Sequence, residues 1–134
     1  MLPLRYARRW RIAEYLLLAM VLAAAMVPPD WCGFSGSEPL IPNFDKWLHG
    51  ITFTALMLWF SGQYTRNGYW RPGTGLLAFG LLIEIAQRTV SYRTLDRMDL
   101  MADLAGISLG AAIALAGLGG WCKRFEDGLQ NRNG

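Results

Sequence analysis

Three short stretches of this chain carry side chains able to do chemistry on a polar ligand. Asp45, Lys46 and His49 form the first, and Glu84, Gln87 and Arg88 the second. Asp99 and Asp103 form the third, with Arg93, Asp96 and Arg97 just ahead of them. Asp45 and His49 are spaced i,i+4, Glu84 and Gln87 i,i+3, and Asp99 and Asp103 i,i+4, so on helices each pair shares one face. An imidazole among carboxylates can act as a general base. On that reading His49, Glu84 and Asp99 are the candidate catalytic residues, with His49 as base and Asp45, Glu84 or Asp99 orienting it. Guanidinium and ammonium groups suit phosphate, while carboxylates accept bonds from hydroxyls and amines. Asp45, Lys46, Gln87, Arg88, Arg93, Arg97 and Asp103 are therefore the candidate ligand-binding residues. A metal could sit between His49 and carboxylates, but the single histidine excludes a three-histidine zinc site. No metal or cofactor is expected. No Gly-x-Ser-x-Gly is present, and Ser108 sits among small apolar residues.

The elements that must position these residues are long apolar blocks. The chain has 134 residues, 53% of them hydrophobic and 17% charged, against about 25% charged in a typical soluble domain. Disorder is excluded by this balance, and a disulfide scaffold by the two cysteines. Four windows approach the roughly 20 apolar residues that cross a bilayer: near 12–27, 45–61, 72–90 and 99–118. Pro28-Pro29 closes the first, and Asn67-Gly68 with Pro72 marks the second loop. A basic start and Ala23-Ala24-Ala25 would also suit a signal peptide, but three further spans favour an uncleaved first helix. The expected fold is all-α: a single domain over 1–134, a four-transmembrane-helix bundle with a tail at 119–134.

Lys and Arg set the orientation. With a cytoplasmic N-terminus, Arg5, Arg8, Arg9, Arg11, Arg66, Arg71, Lys123, Arg124 and Arg132 lie inside, nine of the thirteen basic residues. Lys46, Arg88, Arg93 and Arg97 lie outside. Both termini are therefore predicted to be cytoplasmic in a multi-pass membrane protein. The net charge of +3 is explained by this bias, so no nucleic-acid partner is inferred. Trp10, Trp59, Tyr64, Trp70 and Trp121 would mark the inner interface, and Trp31, Trp47 and Tyr92 the outer one. Cys32 and Cys122 fall on opposite sides and cannot pair.

In this topology all three polar stretches lie at the outer ends of their spans. Intramembrane ionisable groups usually face a bundle interior or cavity, so three polar faces at one depth predict a single pocket open to the outer leaflet. Each group also has a plainer role. Asp45 and Asp99 could cap helices, Lys46 could anchor at the interface, and His49 could be a packing residue. Glu84 and Asp103 could form a buried ion pair with Arg93, Arg88 or Lys46. Glu14 is expected to reach the cytoplasmic interface beside Arg11. Gly106 and Gly110, spaced G-x-x-x-G, allow close helix approach, to span two or three or to another copy in a homo-oligomer.

Taken together, Asp45-Lys46-x-x-His49-x-x-x-Phe53, Glu84-x-x-Gln87, and Arg93 followed by Asp99, Asp103, Gly106 and Gly110 resemble the VanZ-like family, named for a bacterial teicoplanin-resistance protein. The resemblance covers about residues 40–112. Asp103 departs from the family's common pattern, which has Asn there. The resemblance implies a bacterial membrane protein linked to glycopeptide resistance, and supplies no reaction.

Three functions follow as expectations. The first is binding or remodelling of a membrane lipid or lipid-linked cell-wall precursor at the outer leaflet. The second is an intramembrane hydrolase or transferase acting on a lipid head group. The third is a proton-coupled carrier, disfavoured because four spans are few and no second polar cluster is evident at the inner end.

Overall fold

The computed structural model describes residues 1–27, 43–90 and 97–134. Among these residues all regular structure is helical: α1 (Ala7–Met26), α2 (Phe44–Ser61), α3 (Trp70–Thr89), α4 (Arg97–Ile113) and α5 (Trp121–Asn133). A single 3-10 turn at Arg66–Gly68 leads into α3, and a π-helical turn at Ala114–Leu118 prolongs α4. Each of the first four helices occupies one of the expected apolar windows. Cys32, Trp31 and Tyr92 lie outside the described residues.

One stretch among them is long and apolar enough to cross a membrane, the helical run Arg97–Asn133. The other helices fall short because of polar residues at one end. Arg9, Arg11 and Glu14 lower the hydropathy of α1, Asp45, Lys46 and His49 that of α2, and Glu84, Gln87 and Arg88 that of α3.

Helix ends follow local chemistry. α1 stops at Val27, whose extended ψ of 129° is what a residue preceding Pro28 prefers. Asn43 precedes α2 in the left-handed region, φ 55°, which Asn tolerates better than most residues. The run after α4 breaks at Gly117, φ 141°, a conformation that a side chain would resist. Arg124 then donates to the freed carbonyls of Gly117 and Gly119, both at 2.8 Å, satisfying groups that a helix C-terminus leaves open.

The apolar core runs through the middle of the bundle: Phe53, Leu56 and Met57 of α2, Leu76 and Ile83 of α3, Ile107 of α4, and Ala114. Leu17, Leu18, Val21, Leu22 and Ala25 of α1 pack onto it. The closest helix pair is α2 with α4, and glycine makes it so. A Cβ at Gly106 would run into the backbone of Gly50, and one at Gly110 would lie 2.7 Å from Met57 Cβ and 2.8 Å from the Thr54 carbonyl. The G-x-x-x-G partner is thus α2 of the same chain. The Thr54 hydroxyl sits in the crossing, 2.7 Å from the Gly50 carbonyl and 3.1 Å from that of Gly106. Gly75, by contrast, faces open space.

Burial is inverted relative to a water-soluble domain. Glu14, Ser61, Gln63, Glu84, Gln87, Asp99, Asp103 and Glu126 are buried, while Tyr15, Leu16, Met20, Ile51, Met101, Leu104 and Leu109 are exposed. Along α4 the buried positions are Asp99, Asp103, Gly106, Ile107 and Gly110, and the outward ones are mostly apolar.

Gly106→Ala is expected to force α2 and α4 apart and cost about 1–3 kcal/mol, as overpacking typically does. Gly75→Ala is expected to be neutral or slightly stabilising. Reversible unfolding of both variants in detergent tests the contrast; equal effects would show that the close crossing is not limiting.

Candidate functional site

The functional cluster forms where the N-terminal ends of α2 and α4 meet the C-terminal end of α3. Lys46 and His49 come from α2, Glu84 from α3, and Asp99 and Asp103 from α4. The i,i+4 spacing of Asp99 and Asp103 turns both inward, and both are buried. Asp103 is the deepest. Six residues into α4, it lies about 9 Å below the start of the helix.

Asp103 Oδ1 is 2.8 Å from His49 Nδ1, with the Asp103 side chain 0% exposed and that of His49 12%. A carboxylate can only accept, so Nδ1 carries the proton of this bond, and Nε2 is the ring nitrogen left outside it. Asp45, Glu84 or Asp99 was the expected orienting partner for His49; the partner is Asp103, expected instead to bind ligand. The i,i+4 spacing within α4 says that Asp103 faces the interior but not which residue of α2 it meets. The close α2–α4 crossing decides that. A Cβ at Gly80 would collide with Asp103 Oδ2 and meet Phe53 at 3.2 Å, so a bare backbone on α3 accommodates the carboxylate. That oxygen accepts no hydrogen bond among the described residues.

Lys46 Nζ lies 3.5 Å from Asp45 Oδ2 and 3.5 Å from Asp99 Oδ1, an ion-paired strap across the mouth between α2 and α4. A nitrogen of His49 and carboxylate oxygens of Glu84 and Asp99 all lie within 4.8 Å of one another. The three candidate catalytic residues therefore do converge.

Other expected members stand apart. Gln87 is buried, but its Nε2 donates to the Ala25 carbonyl at 3.0 Å and ties α3 to α1. Arg88 and Arg97 are exposed, and no ion pair among the described residues joins them to the cluster. Arg93 and Asp96 lie outside the described residues. Asp45 does not cap α2, since Asn43 holds that position. Ser108 is exposed and bonds back to the Leu104 carbonyl at 2.8 Å.

The opposite end corrects two expectations. Glu14 does not reach out to the interface. It is buried near Gln63 and Arg11, and its Oε1 and both polar atoms of the Gln63 amide lack a hydrogen-bond partner among the described residues. A second buried polar centre, of Glu14 and Gln63, therefore exists where none was expected. A single acidic residue one turn inside an apolar run looks the same in sequence whether it turns outward or inward.

The tail is also more than a tail. α5 folds back onto the N-terminal segment. Glu126 accepts hydrogen bonds from the backbone N–H of Arg5 at 2.9 Å and of Tyr6 at 3.2 Å, and from Trp10 Nε1 at 2.8 Å. Trp10, Trp59 and Trp121 meet edge to face, with centroids 5.2–6.1 Å apart. Three of the expected interface tryptophans thus also pack as a unit. Burial works against the charged form of Glu126, but the three hydrogen bonds outweigh it and hold the carboxyl below the usual carboxylate range. Burial pushes the Cys122 thiol up to about 12, and the neighbouring Glu126 adds to the effect.

No family model, curated protein or solved structure matches this chain.

Two outcomes are expected at the α5 end. A lowered folded-state pKa for Glu126 means that its stabilisation is present above the unfolded value of about 4.3 and lost as pH falls through the folded value. The stability gap between wild type and Glu126→Gln at pH 7 should therefore close below about pH 4, read by tryptophan emission; a gap independent of pH would contradict the clamp. In a Cys32→Ser background, Cys122 should resist iodoacetamide at pH 8 until the chain is denatured, because the thiolate is the nucleophile.

Proposed function

We propose that this chain is a multi-pass protein of the bacterial cytoplasmic membrane, VanZ-like, with four spans, both termini cytoplasmic, and its His49 cluster at the outer leaflet. There it binds and remodels the polar head of an envelope lipid or lipid-linked cell-wall precursor. Glycopeptide resistance is one consequence such remodelling would have.

The inverted burial carries this reading. Leu16 is 66% exposed and Met101 62%, while Glu84 is 4% and Asp99 5% exposed. In water that arrangement loses hydrophobic stabilisation on the outside and costs desolvation on the inside. In a bilayer the outside is favourable, and the polar interior is where intramembrane charges belong. The apolar run of α4 supports one span directly. On the remaining helices Glu14, Glu84 and Gln87 lower the average and turn inward, while Arg9, Arg11 and Arg88 lower it from exposed positions near the helix ends.

Within the cluster, Glu84 and Asp99 suit hydroxyl and amine donors of a head group, and Lys46 suits an anionic one. The exposed positions of Arg88 and Arg97 weaken the idea that arginines grip a phosphate there. The His49–Asp103 pair favours a second reading, a head-group hydrolase or transferase with Nε2 of His49 as base. Asn, usual at position 103 in the family, could also accept from Nδ1. The carrier reading gains a polar centre at Glu14 and Gln63. Against it, Phe53, Leu56, Met57, Leu76 and Ile83 fill the space between the two centres, over about 18 Å from His49 to Ser61.

Native mass spectrometry of the full chain in mild detergent tests the proposal. Wild type should retain a lipid adduct that Asp99→Asn loses and Arg97→Ala keeps. His49→Gln separates the two readings: a retained adduct with unchanged envelope phenotype supports binding alone, and a retained adduct with a lost phenotype supports catalysis. Bare wild-type protein would sink the lipid-head reading.

A further inference from the structure

We propose that His49, Glu84 and Asp99 form a binding site for one divalent transition-metal ion of the manganese-to-zinc series, with Asp103 fixing the imidazole that coordinates it. The three residues come from three different helices, yet their ligand atoms lie within 4.8 Å of one another. Ligands on a zinc ion at 2.0–2.1 Å sit roughly 3.3 Å apart in a tetrahedron. Side-chain rotations of about an ångström, without helix movement, therefore close the set.

Two further observations favour a metal over a chance meeting of charges. The first is the His49–Asp103 bond. A histidine that binds a metal through one nitrogen almost always gives its other N–H to a carboxylate, carbonyl or water. Asp103, wholly buried and 2.8 Å from Nδ1, does this and leaves Nε2 as the coordinating atom. The second is Asp99. It is 5% exposed, its Oδ1 accepts no hydrogen bond among the described residues, and the Lys46 ammonium stands 3.5 Å from that oxygen. That lysine side chain is 24% exposed and can swing outward when an ion takes its place.

The donor set selects the ion. Calcium wants six to eight oxygens, and magnesium keeps most of its water and takes few protein ligands. One imidazole and two carboxylates suit Zn2+, Mn2+ or Fe2+. Three protein ligands leave a position open, as in sites that act on a substrate. This connects with the lipid-head reading without depending on it. An ion here would supply the positive charge that a head-group phosphate needs and that the exposed Arg88 and Arg97 do not bring to the cluster.

The test uses the full-length protein without a histidine tag, stripped with chelator in detergent and titrated with ZnCl2 and with MnCl2. Calorimetry and native mass spectrometry count bound zinc, and electron paramagnetic resonance reports bound Mn2+. One ion per chain is expected. Glu84→Gln and Asp99→Asn should each weaken binding more than tenfold, and Asp103→Asn about tenfold, as loss of a supporting carboxylate does. Asp127→Asn, exposed and paired with Lys123 on α5, should bind as wild type. Zinc should also raise the melting temperature of wild type and leave that of Asp99→Asn unchanged. Folded wild type that binds no ion would overturn the proposal, as would binding that survives Asp99→Asn but falls with Asp127→Asn. A lipid adduct without an ion would sink the metal site alone, and an ion without a lipid adduct would sink the lipid-head reading alone.

Discussion

The close crossing of α2 and α4 is the constraint on which the rest of the molecule depends. Gly106 rests on the backbone of Gly50, Gly110 rests on Thr54 and Met57, and the Thr54 hydroxyl spans the joint. Close van der Waals packing and an interhelical hydrogen bond hold the two helices together. The same closeness has a chemical result. His49 lies one residue before Gly50, and Asp103 three residues before Gly106, so the contact that seats the glycines also brings the imidazole to 2.8 Å from the carboxylate. Any group that widened the crossing by a methyl would loosen the dyad as well.

Holding these charges inside has a cost, and local structure offsets part of it. Asp45 and Asp99 occupy the first turns of α2 and α4, where the helix dipoles favour negative charge. Lys46 is shared between them. Asp103 is too deep in α4 for such help, and its compensation is the His49 bond together with the space left by Gly80. The cluster is thus assembled at some expense of stability, which is common where buried ionisable groups serve a function.

Depth was legible in the sequence; direction around the helix axis was legible only in part. The spacings of Asp45 with His49 and of Asp99 with Asp103 correctly put polar faces at one end, and the apolar windows match α1 to α4. Cross-helix partners were not legible, because small residues set them through shape and not through any charge pattern. Hence Asp103 was read as a ligand contact and is the partner of His49, while Gln87 was read the same way and is a brace to Ala25. Glu14 failed for the same reason. α5 does carry a sequence signal: Trp121, Phe125 and Leu129 recur at i, i+4 and i+8, with Glu126 between them.

The two polar centres differ in what their geometry permits. At the Glu14 end Glu14 and Gln63 are buried, and α5 is latched onto the N-terminal segment by Glu126. At the His49 end the partly exposed Lys46 and Asp45 stand at the rim, so a ligand has an approach. Phe53, Leu56 and Met57 on α2 and Leu76 and Ile83 on α3 lie between, with no buried polar side chain on either helix across that interval. A proton or ion at His49 therefore exchanges with the medium at its own end of the bundle and not through the core. The oriented imidazole and the convergent carboxylates thus sit at one end of the bundle, and the contacts at the far end fix the helices that carry them.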